Sequence, residues 1–220
     1  KINLGSTSTN PSVGCIVEKD GTVLSSAHTA LNGRPHAENI ALKKKNISKN
    51  SNIYITLEPC SHYGLTSPCT KEIIKKKIKK VFFSINDIDI RSKNKAKKIL
   101  NRKGISTKNG FSKKYGKIFY KSYTLSKNSS LPLIDSKIAI SKDYFTKDKK
   151  KKWITNEHSR KRVHLLRSKY DCIISSSKTI NDDNSLYSCR IESLENKSPC
   201  LVIFDGFLKI KKNLKLFKNK

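Results

Sequence analysis

Two layered α/β domains in tandem are what this sequence predicts, and three observations carry the prediction. Strand-like and helix-like stretches alternate from residue 12 to residue 105. A polar stretch over 112–131 ends in Ser129-Ser130-Leu131-Pro132, and a second, sparser alternation follows it. Alternation of this kind builds a sheet with helices laid against it. The domain boundary is therefore set after residue 130, giving domains 1–130 and 131–220.

The elements follow in order. Residues 12–18 and 22–27 are apolar-rich runs around Lys19-Asp20-Gly21, a hairpin signal. Pro35 precedes a helix predicted over 36–46, where Ala37, Ile40 and Ala41 recur at helical spacing. Strands are predicted over 52–57 and 81–85, and helices over 69–79 and 92–103, the second leading to Gly104-Ile105. Helical patches interrupt the polar stretch 112–131. Beyond the boundary the reading gives strands over 133–141, 171–175 and 200–204 and a helix over 156–169. No internal repeat, P-loop or GxGxxG is present, so no nucleotide site follows from a glycine fingerprint.

Composition narrows the function classes. The net charge is +30, yet residues 1–70 hold seven Lys/Arg against four Asp/Glu. The excess lies downstream, on Lys-rich segments such as 71–80, 93–103 and 147–152, where a solvated helix face is the ordinary explanation. Aromatic interleaving of the kind that stacks bases is sparse, so nucleic acid is not expected as a partner. A positive field still helps attract a phosphorylated substrate. No apolar run approaches the ~20 residues of a membrane span. Cys15, Cys172, Cys189 and Cys200 sit in apolar, strand-like surroundings and are expected to be small buried hydrophobes in a reducing cytoplasm, not a disulfide framework. The chain begins with Lys and contains no Met, so its true start is expected upstream. Oligomeric state is not legible, and a homo-oligomer is left open.

The chemistry-bearing motif is His36-Ala37-Glu38, followed by Pro59-Cys60 and then Cys69. One imidazole and two thiolates suit a tetrahedral Zn²⁺ whose fourth position is left for water, the mark of a catalytic site. Glu38 stands where a carboxylate can move protons for that water without binding the metal. Zinc deaminases of bases use H-x-E, then P-C, then a second Cys, with the Glu as general acid/base. Their common Cys spacing is C-x-x-C, whereas eight residues separate Cys60 from Cys69 here. A structural zinc knot with His62 as fourth ligand is the bland alternative, and it leaves Glu38 without a role.

NPSVGCIV at 10–17, GRPHAE at 33–38 and TLEPCSHYGLTSPC at 56–69 resemble the bifunctional riboflavin-biosynthesis deaminase/reductase family. The likeness continues through KIAIS at 137–141, WIT at 153–155, HLLR at 164–167 and Asp182-Asp183. It implies a cytidine-deaminase-like layered domain followed by a dihydrofolate-reductase-like α/β domain. It further implies Zn²⁺ as cofactor of the first, NADPH as cofactor of the second, and a small phosphorylated pyrimidine as substrate. That substrate is a diaminopyrimidinone bearing a phosphoribosylamino group, deaminated to the uracil before its ribosyl is reduced to ribityl. By the same resemblance Asn10, His28 and His62 line the deaminase substrate site, with Asp87 and Asp89 near it. The family usually carries a basic residue at Leu65 and an Asp-Pro-Asn-Pro turn at Asp87–Ile90, so the phosphate contacts here must differ.

For the second domain the resemblance assigns Lys137, Ala139, Trp153, Thr155, Arg167, Thr179, Asp182, Leu186 and Arg190 to substrate or cofactor contacts. Departures are numerous: Tyr144 replaces Gly after Asp143, Lys151 replaces a Ser, Lys178 replaces a small residue before Thr179, and Asn184 replaces a Pro. The chain ends before the family's later glycine-rich phosphate loop, so this half is expected to be incomplete and to lack NADPH-dependent turnover by itself. Two rival readings remain at this point. A zinc deaminase acting on tRNA would explain the charge but not the Cys insert; a non-catalytic zinc-binding module would make Glu38 dispensable.

Overall fold

The computed structural model describes residues 3–45, 47, 49–129, 131–147 and 153–218. Ser130, Lys151 and most of the Lys-rich run 147–152 lie outside them. The chain divides into two compact units, Lys1–Asp135 and Ser136–Lys220.

The first unit is a five-stranded mixed sheet. β1 (Gly14–Lys19) and β2 (Thr22–His28) form the expected antiparallel hairpin, turning at Asp20-Gly21. β3 (Asn52–Leu57) lies antiparallel on the other side of β1. β4 (Lys80–Ile85) and β5 (Ser106–Asn109) then add in parallel, giving the order β2-β1-β3-β4-β5. Parallel neighbours need crossovers, and helices supply them.

α1 (Ala37–Leu42), α2 (Cys69–Lys75) and α3 (Ala96–Arg102) connect the strands. One face of the sheet, built from alternate residues Cys15, Val17, Ile53, Ile55, Leu57, Val81 and Phe83, is buried in one core with Ala41, Leu42, Ile73 and Leu100 of these helices. The polar 112–131 stretch forms α4 (Lys113–Phe119) and α5 (Lys121–Asn128). Between them Tyr120 is buried; its hydroxyl meets Thr56 Oγ1 at 2.5 Å and donates to the Ser12 carbonyl at 3.1 Å.

Three helices of this unit are shorter than the sequence predicts. α1 stops at Leu42, just before Lys43-Lys44-Lys45. α2 closes in a Schellman motif: Lys77 adopts φ 52°, its N–H bonds the Ile74 carbonyl, and the Ile78 N–H reaches Ile73. That turn buries Ile78. α3 closes the same way, with Gly104 at φ 74° and the Ile105 N–H on the Leu100 carbonyl.

The second unit holds α6 (Glu157–Arg167), β6 (Cys172–Ser176), α7 (Ser177–Asp183), β7 (Cys200–Phe204) and α8 (Lys215–Lys218), with β6 and β7 parallel. Asn156 and Ser176 cap α6 and α7 through side-chain oxygens. The strand expected over 133–141 is corrected: the segment pairs with no strand among the described residues and leaves Ile134 and Ile138 exposed. Alternation alone does not make a strand without a ladder partner.

All six cysteines are free. Cys15 and Cys189 are buried as expected, but Cys172 and Cys200 are exposed, because they open β6 and β7 on the face opposite Ile173 and Leu201. Among the described residues no helix is long and apolar enough to cross a membrane.

Candidate active site

Three elements of the first unit converge on one point. His36 is the N-cap residue of α1, with φ −67° and ψ 153°; its carbonyl accepts from the Ile40 N–H. Its side chain makes no cap hydrogen bond and is free to face the sheet's end. Cys60 follows β3 after Leu57-Glu58-Pro59, and Cys69 is the first residue of α2. Cys60 is thus not itself at a helix start. It is instead capped by one, since the Cys69 N–H donates to the Cys60 sulfur at 3.2 Å and the Thr70 N–H to the Cys60 carbonyl at 3.2 Å. Helix-start N–H groups aimed at a sulfur favour its thiolate.

The ligand atoms of His36, Cys60 and Cys69 all lie within 4.8 Å of one another. His36 Nδ1 is 3.6 Å from Cys60 Sγ and 3.4 Å from Cys69 Sγ. Tetrahedral zinc with ordinary Zn–N and Zn–S bonds sets N and S about 3.5 Å apart. The donor set therefore fits zinc in both chemistry and span.

Electrostatics agree. The Cys60 thiol is pulled down to about 4, first by a hydrogen bond from Cys69 and then by His36 and the Cys69 N–H. Cys69 is raised by the same bond and by burial, so the two sulfurs share one proton that a metal would expel. Glu38, in the first turn of α1, is buried, with its carboxyl beside Cys69. Burial, followed by the charge on Cys60, pushes it up to about 7.

Asn10 is tied to this centre through Gly33. Its Nδ2 donates to the Gly33 carbonyl at 3.1 Å, and a Cβ on Gly33 would lie 2.6 Å from that same Nδ2 and 2.5 Å from the Thr7 carbonyl oxygen. At φ 82° and with no room, only glycine fits at position 33. His62 turns its Nδ1 to Ser92 Oγ at 2.8 Å. His28, at the end of β2, lines an open cavity of about 490 Å³ with Ser26, Leu31, Ile40 and Lys44, and that lining includes none of the three zinc-set residues.

The two loop aspartates have partners in the same unit. Asp87 is buried and accepts from the Tyr123 hydroxyl at 3.0 Å. Asp89 is held by Arg91 at 2.6 Å and by Lys127 at 3.7 Å.

Sequence reasoning missed Glu58. This buried carboxylate accepts from the backbone N–H groups of Asp87 (3.0 Å), Asn94 (3.0 Å) and Ala96 (3.1 Å). It fastens the loop after β4 to the residue preceding Pro59-Cys60. The available signal was an acidic residue inside an otherwise apolar strand end.

In the second unit Arg167 and Arg190 converge on His164. Arg167 Nη1 donates to the Ser188 carbonyl at 3.0 Å, His164 Nδ1 is 3.1 Å from the same oxygen, and Arg190 Nη2 is 3.3 Å from His164 Nε2. Burial and then Arg190 lower the Arg167 pKa, as two close cations should. Thr179 and Asp182 lie on α7, just past the C-terminal end of β6, where open parallel sheets receive ligands. Asp182 pairs with Lys147. Arg160 lies over the Trp153 ring at 5.0 Å and donates to the Thr155 carbonyl. Lys137 is exposed, whereas Ala139 and Leu186 are half-buried. Tyr144, where the resemblance expects Gly, adopts φ 67°.

The sequence profile of the cytidine and deoxycytidylate deaminase zinc-binding region matches residues 2–85, and that of the RibD C-terminal domain matches 132–220. The riboflavin biosynthesis protein RibD of Chlamydia muridarum is 33% identical over 202 residues, 90% of this chain and 54% of that protein. This chain belongs to the RibD family. Among solved structures, a diaminohydroxyphosphoribosylaminopyrimidine deaminase/5-amino-6-(5-phosphoribosylamino)uracil reductase from Thermotoga maritima matches with a TM-score of 0.84 and 31% identity, over 92% of this chain and 59% of that one. Acinetobacter baumannii RibD matches with a TM-score of 0.82 and 28% identity, over 99% and 63%. The chain spans just over half the length of the RibD relative named above. The cytidine-deaminase-like first domain and the α/β RibD C-terminal domain are the two parts that the fold class names.

Proposed function

We propose that the first unit is a zinc-dependent hydrolytic deaminase of riboflavin biosynthesis. Its substrate on this reading is 2,5-diamino-6-(5-phosphoribosylamino)pyrimidin-4-one and its product the corresponding uracil. The observation that carries the reading is the triangle of His36 Nδ1, Cys60 Sγ and Cys69 Sγ with the buried Glu38 carboxyl against Cys69. His36, Cys60 and Cys69 would hold a Zn²⁺, which would supply Lewis acidity sufficient to bring a water's pKa near 7. Glu38 would carry one proton of the attacking water to the ring nitrogen and the second to the departing amine, which leaves as ammonia. Asn10 and His62 orient the pyrimidine, while His28, Asp87 and Asp89 take supporting positions around it.

Glu38→Gln tests this directly. One zinc per chain should remain while ammonia release falls by about 10²–10⁴-fold. Unchanged turnover refutes the role of Glu38. Cytidine and adenosine-containing RNA serve as control substrates, and release from these alone refutes the substrate.

We assign the second unit to the reductase of the same family. Bound NADPH would supply a hydride for the ribosyl group in the whole protein, and this chain's part would be to hold the partners. Arg167 and Arg190, with Lys137, suit a sugar phosphate. Thr179, Asp182, Trp153, Thr155, Ala139 and Leu186 stand as its remaining substrate or cofactor contacts.

A further inference from the structure

A deaminase for a phosphoribosylated pyrimidine must recognise a phosphate some distance from the amino-bearing ring. We propose that Arg34 binds that phosphate and makes the first unit prefer phosphorylated over dephosphorylated substrate, an inference that rests on the deaminase reading above.

Among the cations of this unit, Arg34, Lys71, Arg91 and Lys127 have side-chain partners that separate them. Arg91 is engaged by Asp89 through both Nε (2.9 Å) and Nη2 (2.6 Å), and Lys127 joins the same carboxylate. Lys71 turns its Nζ to the Tyr63 hydroxyl at 3.4 Å and over that ring at 5.8 Å. Arg34 differs from Arg91 and Lys127: among the ion pairs of the described residues, none involves it. It stands two residues before His36 and is near enough for their charges to interact.

Arg34 also reaches the Cys60–Cys69 loop. Nη1 donates to Thr66 Oγ1 at 2.7 Å, which fixes the guanidinium plane and leaves Nη2 free of that bond. A Cβ built on exposed Gly64 would lie 3.5 Å from Arg34 Nη2 and 4.0 Å from His62 Nε2. Arg34 Nη2 and His62 Nε2 therefore flank one gap that a glycine keeps open. His62 Nδ1 is committed to Ser92, so Nε2 is the nitrogen left to face an anion. The loop tip itself offers no charge, because Leu65 is 89% exposed and aliphatic. A planar guanidinium matches phosphate oxygens in pairs.

The experiment measures kcat/KM for ammonia release from the phosphorylated compound and from its dephosphorylated counterpart. Wild type should favour the phosphorylated compound. In Arg34→Ala that preference should fall about 10- to 100-fold, chiefly through KM. Adding Leu65→Lys to Arg34→Ala should restore part of it from the neighbouring loop position. Thr66→Ala, which removes only the strap, should keep most of the preference. Equal losses on both substrates in Arg34→Ala, or a Thr66→Ala effect as large, would make Arg34 a loop strap and overturn the proposal. A wild type that acts on both compounds equally overturns it while leaving the deaminase reading intact. A zinc-loaded wild type that acts on neither overturns both.

Discussion

Glu58→Ala should loosen the unit around the metal by about 3–5 kcal/mol. The wild-type carboxylate is buried and accepts three backbone N–H groups: Oε2 takes Asp87 and Asn94, and Oε1 takes Ala96. A hydrogen bond to a charged acceptor contributes roughly 1.5–3 kcal/mol, and a buried N–H left without a partner costs roughly 1–3 kcal/mol. Asn94 lies toward solvent and can recruit water, so two bonds count in full, about 3–6 kcal/mol, and the carboxylate's own burial penalty keeps the net in the lower part of that range. Domain stabilities are about 5–15 kcal/mol, which makes this a large fraction. Urea denaturation measures the total. Amide exchange at Asp87, Asn94 and Ala96 measures it locally, and their protection should collapse before that of Val81 and Phe83 in β4. Glu58→Gln should fall between, because its amide NH₂ would face the N–H groups that one carboxylate oxygen now accepts. A loss below about 1 kcal/mol in Glu58→Ala, with protection kept at all three amides, would refute this account.

Two further outcomes follow from the geometry. Lys77→Gly should stabilise by roughly 0.5–1 kcal/mol, because exposed Lys77 bears the left-handed φ that Gly104 bears in the matching turn after α3; a thermal melt that moves downward refutes it. Asp89 is held well below the usual carboxylate range, chiefly by its hydrogen bond from Arg91. A lowered folded pKa adds stability above the unfolded value near 4 and loses it as pH falls below that. Wild type should therefore lose up to about 1 kcal/mol more than Arg91→Gln between pH 6 and pH 3, read by urea denaturation at low salt; parallel curves refute it.

How much was legible depends on where each signal resides. β1 to β4 carry their own apolar alternation and were readable within one or two residues. β5 reads Ser-Thr-Lys-Asn, and only its pairing to β4 makes it a strand. The 133–141 segment is the converse case, with the pattern but no neighbour. The zinc donors were legible because metals demand particular side chains. Glu58 was not, because its role is set by backbone groups 29 to 38 positions away. Arg34 could be read only once the loop above it had a shape.

The span from Cys60 to Cys69 has a longer consequence. Both its ends converge on His36, within 4.8 Å of one another at their ligand atoms, while its middle, Tyr63 to Thr66, is exposed. Tethered at both feet, such a segment can change sequence or length at little entropic cost. Selection can then remodel which molecule is admitted while the reacting groups stay where they are. Substrate range and catalytic step become separately evolvable traits within a single short stretch of chain.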